Sequence, residues 1–219
     1  RKIWTRRSDT SSKYAHPDLA KVMPQTMADT IRINSLYDLG RYVLKTQTEG
    51  DLVECGVCNG GSAGAIWLGL NDEQRRFWLY DSFSGMPETT EADGAKATKW
   101  VGKCVGDPQK VKALLQHLGM SPSQIVLKEG WFENSFRDEL PSKVALLHCD
   151  ADWYDSVMLV LETFYDRIPE GGVVILDDFG YWSGCRRAFY EFCHLRGIFP
   201  LLERAGGTQA FWIKKDNES

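Results

Sequence analysis

The 219 residues are 43% hydrophobic and 26% charged, with a formal net charge of −4, which fits one globular domain with enough chain to bury its own core. That charge gives no electrostatic basis for a nucleic-acid partner, and no apolar run reaches membrane-spanning length or forms a signal peptide. A cytoplasmic protein without nucleic-acid or membrane partners is therefore expected.

Residues 1–26 contain Pro17 and Pro24, show no periodicity and read as an N-terminal arm, its basic start (Arg1, Lys2, Arg6, Arg7) solvated. From Thr26 the apolar residues Ile31, Leu36, Leu39 and Val43 fall near one helical face, and Thr46 to Gly50 closes that helix. A short strand at Leu52-Val53 leads through glycines into a helix over 62–70, followed by a strand over 77–80. Residues 84–106 form a polar, glycine-containing connection longer than a compact domain normally carries without purpose, and it reads either as a substrate lid or as a merely mobile loop.

The pattern continues with a helix over 108–118, strands over 125–127 and 144–148, a helix over 154–167, a strand over 173–176 and a helix over 185–195. Alternation of short apolar runs with helices predicts an α/β fold, a doubly wound and mostly parallel sheet covered on both faces. The end breaks the rhythm, because 200–204 and 209–213 flank Gly206-Gly207 with no helix between them. The seven-stranded sheet should therefore finish in an antiparallel hairpin.

Six cysteines (Cys55, Cys58, Cys104, Cys149, Cys185, Cys193) are read as reduced. The single CxxC, Cys55 to Cys58, lacks a second pair to complete a zinc site, and the glycines after it favour a ligand loop over a redox dithiol. Gly56, Gly60 and Gly61 allow a tight turn and close approach of a ligand, and the helix that follows, from Ser62, presents unpaired N–H groups. The spacing is not that of the dinucleotide fingerprint. Asp81, at the end of the second strand, can accept from both ribose hydroxyls, and Glu54, just before the first glycine, can hold a cationic amine. S-adenosylmethionine offers both groups, whereas a nicotinamide cofactor has no ammonium.

Asp150 and Asp152 end the fourth strand, and Asp177 and Asp178 end the fifth. Neighbouring strand ends meet at the ligand crevice of an open parallel sheet, where like charges disfavour one another unless they share a cation. Asp150, Asp177 and Asp178 are the expected ligands, and oxygen ligation suits Mg²⁺ ahead of Ca²⁺ or Mn²⁺. Asp152 is expected to cap the helix that starts near Trp153. His148 is a candidate base set against a packed strand histidine, and Trp131 and Trp182 are candidates for stacking on a flat ligand.

Taken in order, VECGVCNGGSA, YDSFSGMPE, EGWFENSF, LHCDADWYDS, GGVVILDDFG and CRRAFYEF, with PQTMADTIRINSLYDLGRYV before them, resemble the macrocin O-methyltransferase (TylF-type) family. These motifs cover residues 24–195. Where many members read Asp-Gly-Asp, this chain has Asp150-Ala151-Asp152, and its N-terminal region is shorter.

The resemblance implies a class I methyltransferase fold and Mg²⁺-dependent transfer from S-adenosylmethionine to a hydroxyl of a sugar or polyketide-type natural product. It implies cofactor contacts from Glu54, Gly56, Gly60, Gly61, Ser62, Asp81, Ser82, Gly130, Trp131 and Asp150, while the need to remove the acceptor's proton makes Asp150, Asp152 and His148 the catalytic candidates. The acceptor could be free or tethered to a carrier protein, and a homo-oligomer is allowed. Two other readings share the glycine loop: a nicotinamide-dependent oxidoreductase, and a non-catalytic domain of a biosynthetic megasynthase.

Overall fold

A computed structural model describes residues 14–215. Among these residues seven α-helices and seven strands follow in chain order: α1 (Leu19–Val22), α2 (Thr30–Thr46), β1 (Asp51–Cys55), α3 (Gly61–Leu70), β2 (Phe77–Asp81), α4 (Pro108–His117), β3 (Ile125–Glu129), α5 (Phe132–Ser135), β4 (Val144–Cys149), α6 (Tyr154–Phe164), β5 (Val173–Leu176), α7 (Ser183–Arg196), β6 (Glu203–Ala205) and β7 (Gln209–Ile213). They form one sheet in the order β3-β2-β1-β4-β5-β7-β6. The first five strands pair in parallel, while β7 runs antiparallel to both β5 and β6. The expected doubly wound sheet with its terminal hairpin is present.

Alternation along the strands divides the core into two layers. Leu52, Phe77, Leu79, Leu146 and Ile175 pack with α2, α3 and α4 on one face, and Val53, Trp78, Tyr80, Leu147 and Val174 pack with α6 and α7 on the other. Helix α2 buries Ile33, Leu36, Tyr37, Gly40 and Val43, the spacing of one helical stripe. Asp29 caps it, its carboxylate accepting from the N–H of Ile31 and of Arg32 at 2.9 Å each.

The arm expected over 1–26 lies outside the described residues as far as 13, and beyond that it is corrected. Leu19 and Val22 of α1 are fully buried in the α2–α3 layer, and a turn of 3₁₀ helix over Met23–Gln25 follows. Burying two such side chains contributes about 1.5–3 kcal/mol each, enough to order a short amphipathic stretch that sequence periodicity cannot reveal. Residues 84–106 are also ordered. Met86 bridges to Val101, and Ala97 is buried against the α6–α7 layer.

The strand order reverses between β1 and β4, so the crevice opens where the loops after these two strands part. Gly56, at φ +91°, passes so close to the Asp150 carbonyl oxygen that a Cβ there would collide with it. Only glycine lets the two loops meet.

Candidate active site

A cavity of about 710 Å³ lies at this switch point. Of the residues expected from the sequence, Gly56, Gly61, Ser62, Asp81, Ser82, Gly130, Trp131, Asp150, Asp152, Asp177, Asp178 and Trp182 line it, whereas Glu54, Gly60 and His148 do not. Lining residues that were not anticipated come from the segment before α2 (Met27), from the first turn of α2 (Arg32) and from the 84–106 connection (Met86, Trp100, Cys104).

Asp81 holds the glycine loop. Its Oδ2 accepts from the N–H groups of Val57 and Cys58, and its Oδ1 from that of Phe83, each at 2.7 Å. A carboxylate offers about four lone-pair directions, so one remains for a ligand rather than the two that a ribose diol would use.

Glu54 and His148 lie beneath the cavity floor. Parallel register sets them side by side on β1 and β4, and His148 Nδ1 meets Glu54 Oε1 at 2.8 Å while its Nε2 lies 3.5 Å from Asp177 Oδ1. Burial pushes the His148 pKa down, but hydrogen bonds to Asp177 and Glu54 outweigh it and raise the pKa to about 9. With both ring nitrogens facing carboxylates and no surface on the cavity, His148 is placed to orient Asp177 and not to reach a substrate. Burial raises the pKa of Glu54, and the hydrogen bond to His148, then its charge, only partly offset this.

Asp177 is held on three sides. Arg32 Nη1 donates to its Oδ2 at 2.5 Å, Gln209 Nε2 donates to its Oδ1 at 2.8 Å, and His148 flanks it. Its pKa is lowered because these donors outweigh the cost of burial. The Arg32 and Asp177 side chains are 15% and 4% exposed. Arg32→Met is expected to lower the unfolding free energy in urea titrations by about 3 kcal/mol, the low end for breaking a buried pair, because Gln209 and His148 remain. A loss below about 1 kcal/mol would place the pair among exposed ones.

No salt bridge reaches the other three aspartates among the described residues, and Arg32 acts on Asp178 and Asp150 only from a distance. Ligand oxygens of Asp150, Asp152 and Asp178 lie within 4.8 Å of one another, and a second group joins His148, Asp150 and Asp177. The trio expected from the sequence is neither of these, because Asp177 turns to Arg32 and Gln209 while Asp178 turns to Asp150 and Asp152. Burial and then mutual repulsion raise the pKa of Asp150 and Asp152 well above, and that of Asp178 above, the usual carboxylate range.

Asp152 does not cap α6. It sits at φ +56° in a three-residue turn closed by the Trp153 N–H on the Ala151 carbonyl at 2.6 Å, which turns its carboxylate onto Trp182 Nε1 at 2.8 Å. The cap comes from Asp93, whose Oδ1 accepts from Tyr154 N–H at 2.7 Å. Trp182 is buried and Trp131 is 39% exposed, so of the two expected stacking residues Trp131 offers the free ring. All six cysteines are free.

The Macrocin-O-methyltransferase (TylF) family model matches residues 3–214. The chain belongs to this family. A rhamnosyl-tetracenomycin-C 4'-O-methyltransferase of Streptomyces olivaceus is 31% identical over 195 residues, which is 85% of this chain and 74% of that one. The mycinamicin III 3''-O-methyltransferase of Micromonospora griseorubida is 27% identical, covering 85% and 77%. Among solved structures, the O-methyltransferase NovP superposes with a TM-score of 0.76 over 87% of this chain and 82% of its own, at 24% identity.

The protein is therefore an S-adenosylmethionine-dependent O-methyltransferase, and the glycine loop, Asp81 and the strand-end acids surround the cavity such an enzyme needs. Thr208 Oγ1, buried in a residue of the cavity wall without a hydrogen-bond partner among the described residues, is a polar atom that a ligand can satisfy. Asp150 and Asp178, converging with Asp152 beside them and in no salt bridge among the described residues, are oxygen donors that suit a hard divalent ion. Both groups fit the residues present. No described helix is long and apolar enough to cross a membrane.

Proposed function

We propose that this O-methyltransferase methylates a hydroxyl on the sugar of a glycosylated natural product, with a divalent cation, Mg²⁺ in the first instance, at the strand-end acids. The observation that carries the reading is the close group of Asp150, Asp152 and Asp178 on the wall of the cavity that Asp81 and the glycine loop also line. The relatives named above act on a rhamnosyl tetracenomycin and a mycinamicin, which supports a glycoside acceptor.

When bound, S-adenosylmethionine supplies a methyl group made electrophilic by its sulfonium, and a divalent cation supplies Lewis acidity toward a hydroxyl. The chain supplies position. Asp150 and Asp178, common to the sequence expectation and to the close group, would hold the cation, with water completing its shell as Mg²⁺ prefers. Asp177 is kept in place by Arg32, Gln209 and His148.

Asp152, which takes the Trp182 Nε1–H on its Oδ1 and lies beside Asp178, is the acid left to receive the acceptor's proton. Trp131, Met27 and Tyr181 give the cavity apolar surface for the rest of the acceptor. The chain thus aligns the acceptor oxygen and the sulfonium for in-line displacement, the part of catalysis that orientation alone can supply.

Methyl transfer from labelled S-adenosylmethionine to a panel of rhamnosides, macrolide sugars and simple phenols tests the reading, with thermal shifts measured in S-adenosylhomocysteine and NADH. Turnover of glycosides, a shift with S-adenosylhomocysteine and none with NADH are expected. Turnover of phenols alone would overturn the acceptor class, and a shift only with NADH would favour the oxidoreductase.

A further inference from the structure

The 84–106 segment is fastened to the acid-bearing loops at points that converge on one residue. Asp93 is buried, 3% exposed, in a turn where its Oδ2 accepts from Thr90 N–H at 2.8 Å and from the Thr90 hydroxyl at 3.1 Å. Its other oxygen, Oδ1, caps α6 through Tyr154 N–H, 61 residues away. Its backbone carbonyl accepts from the Ser183 hydroxyl at 3.2 Å at the start of α7.

The notch that receives Asp93 exists because residue 184 is glycine. A Cβ there would overlap Asp93 Oδ1. Around this point Trp153 Nε1 donates to the Pro87 carbonyl at 3.0 Å, and Trp100 meets Trp182 edge-on at a centroid distance of 6.2 Å. Residues 153 and 154 directly follow Asp152, and Trp182 is the residue that holds the Asp152 carboxylate. Asp152 itself sits in a left-handed turn that costs free energy unless its surroundings hold it.

We propose that Asp93 is a positioning residue of the methyl-transfer site: closing the 84–106 segment onto α6 and α7 is the event that sets Asp152 in the cavity. The segment is then a lid whose closed state completes the acid group, and not only a cover. Segment and acid loop should open and close as one unit, because one buried carboxylate satisfies the first turn of α6 and the turn of the lid together. The inference rests on the methyl-transfer reading for its catalytic consequence alone. The coupling itself can be measured without turnover.

The test is hydrogen exchange of residues 86–103 and 150–156, together with steady-state kinetics and S-adenosylhomocysteine calorimetry, on Asp93→Ala, Asp93→Asn and Gly184→Ala. In Asp93→Ala both segments should exchange at least about tenfold faster together. In the same variant kcat should fall about 10²-fold, with S-adenosylhomocysteine affinity within about threefold of the parent. Gly184→Ala, which leaves every acid in place but fills the notch, should reproduce both effects. Asp93→Asn keeps one oxygen for Tyr154 N–H and should recover part of them.

Faster exchange confined to 86–103, or an unchanged kcat in both Asp93→Ala and Gly184→Ala, would overturn the proposal. Should Asp93→Ala fail to fold, the other two variants carry the same exchange comparison. Coupled exchange in a parent enzyme that methylates no acceptor would uphold the latch and sink the functional reading instead.

Discussion

Asp150→Asn is expected to lower kcat about 10³-fold, within the range of removing a catalytic proton-transfer or ligand carboxylate, while the thermal midpoint stays level or rises. The two directions follow from one arrangement. Asp150 belongs to both close groups of acids, so its loss removes the carboxylate that the rest of the site is built around. In the absence of a cation, however, it repels Asp177, Asp178 and Asp152, so neutralising it relieves buried repulsion. A relief of 1 kcal/mol corresponds to about 2–4 °C for a chain of this size. A variant that lost activity and melted several degrees lower would show Asp150 to be a structural acid.

Asp81→Ala should have the largest effect on the cofactor. Three backbone N–H groups, of Val57, Cys58 and Phe83, would lose their acceptor at once, and each buried donor left unsatisfied costs about 1–3 kcal/mol. The glycine loop that walls the cavity is tied down by two of those bonds. S-adenosylhomocysteine should therefore bind about 10²-fold more weakly, or some 2.7 kcal/mol, by calorimetry. If instead affinity fell less than about threefold, the loop would be fixed by its helix alone and the role given to Asp81 would be wrong.

Apolar runs such as Val173 to Leu176 mark the strands because a doubly covered parallel sheet leaves them no polar face. Gly206-Gly207 marks the hairpin, and the acids after β4 and β5 mark the cavity, since topology alone brings strand ends together. What stayed hidden depends on contacts between distant residues. Arg32 reaches Asp177 across 145 positions, and nothing local to a basic residue on an amphipathic helix announces that.

Asp152 illustrates the opposite case. An aspartate two residues ahead of a helix reads locally as a cap, yet a left-handed backbone turns its carboxylate into the cavity and leaves the capping to Asp93. Glu54 likewise looks exposed to a ligand in the sequence. Strand register instead lays it against His148, because residues two apart face the same side and Leu52 already faces the α2–α3 layer. Residues 19–25 escaped notice because a helix of one turn carries too little pattern to separate it from a loop.

The account depends on a dication held beside the methyl donor, and calorimetric titration of Mg²⁺ into the protein saturated with S-adenosylhomocysteine tests it most directly. One ion per chain is predicted for the parent and for Asp152→Asn, with that binding lost in Asp150→Asn and in Asp178→Asn. Undiminished Mg²⁺ binding after both Asp150 and Asp178 are replaced, or retention of full methyl transfer in excess chelator, would contradict it.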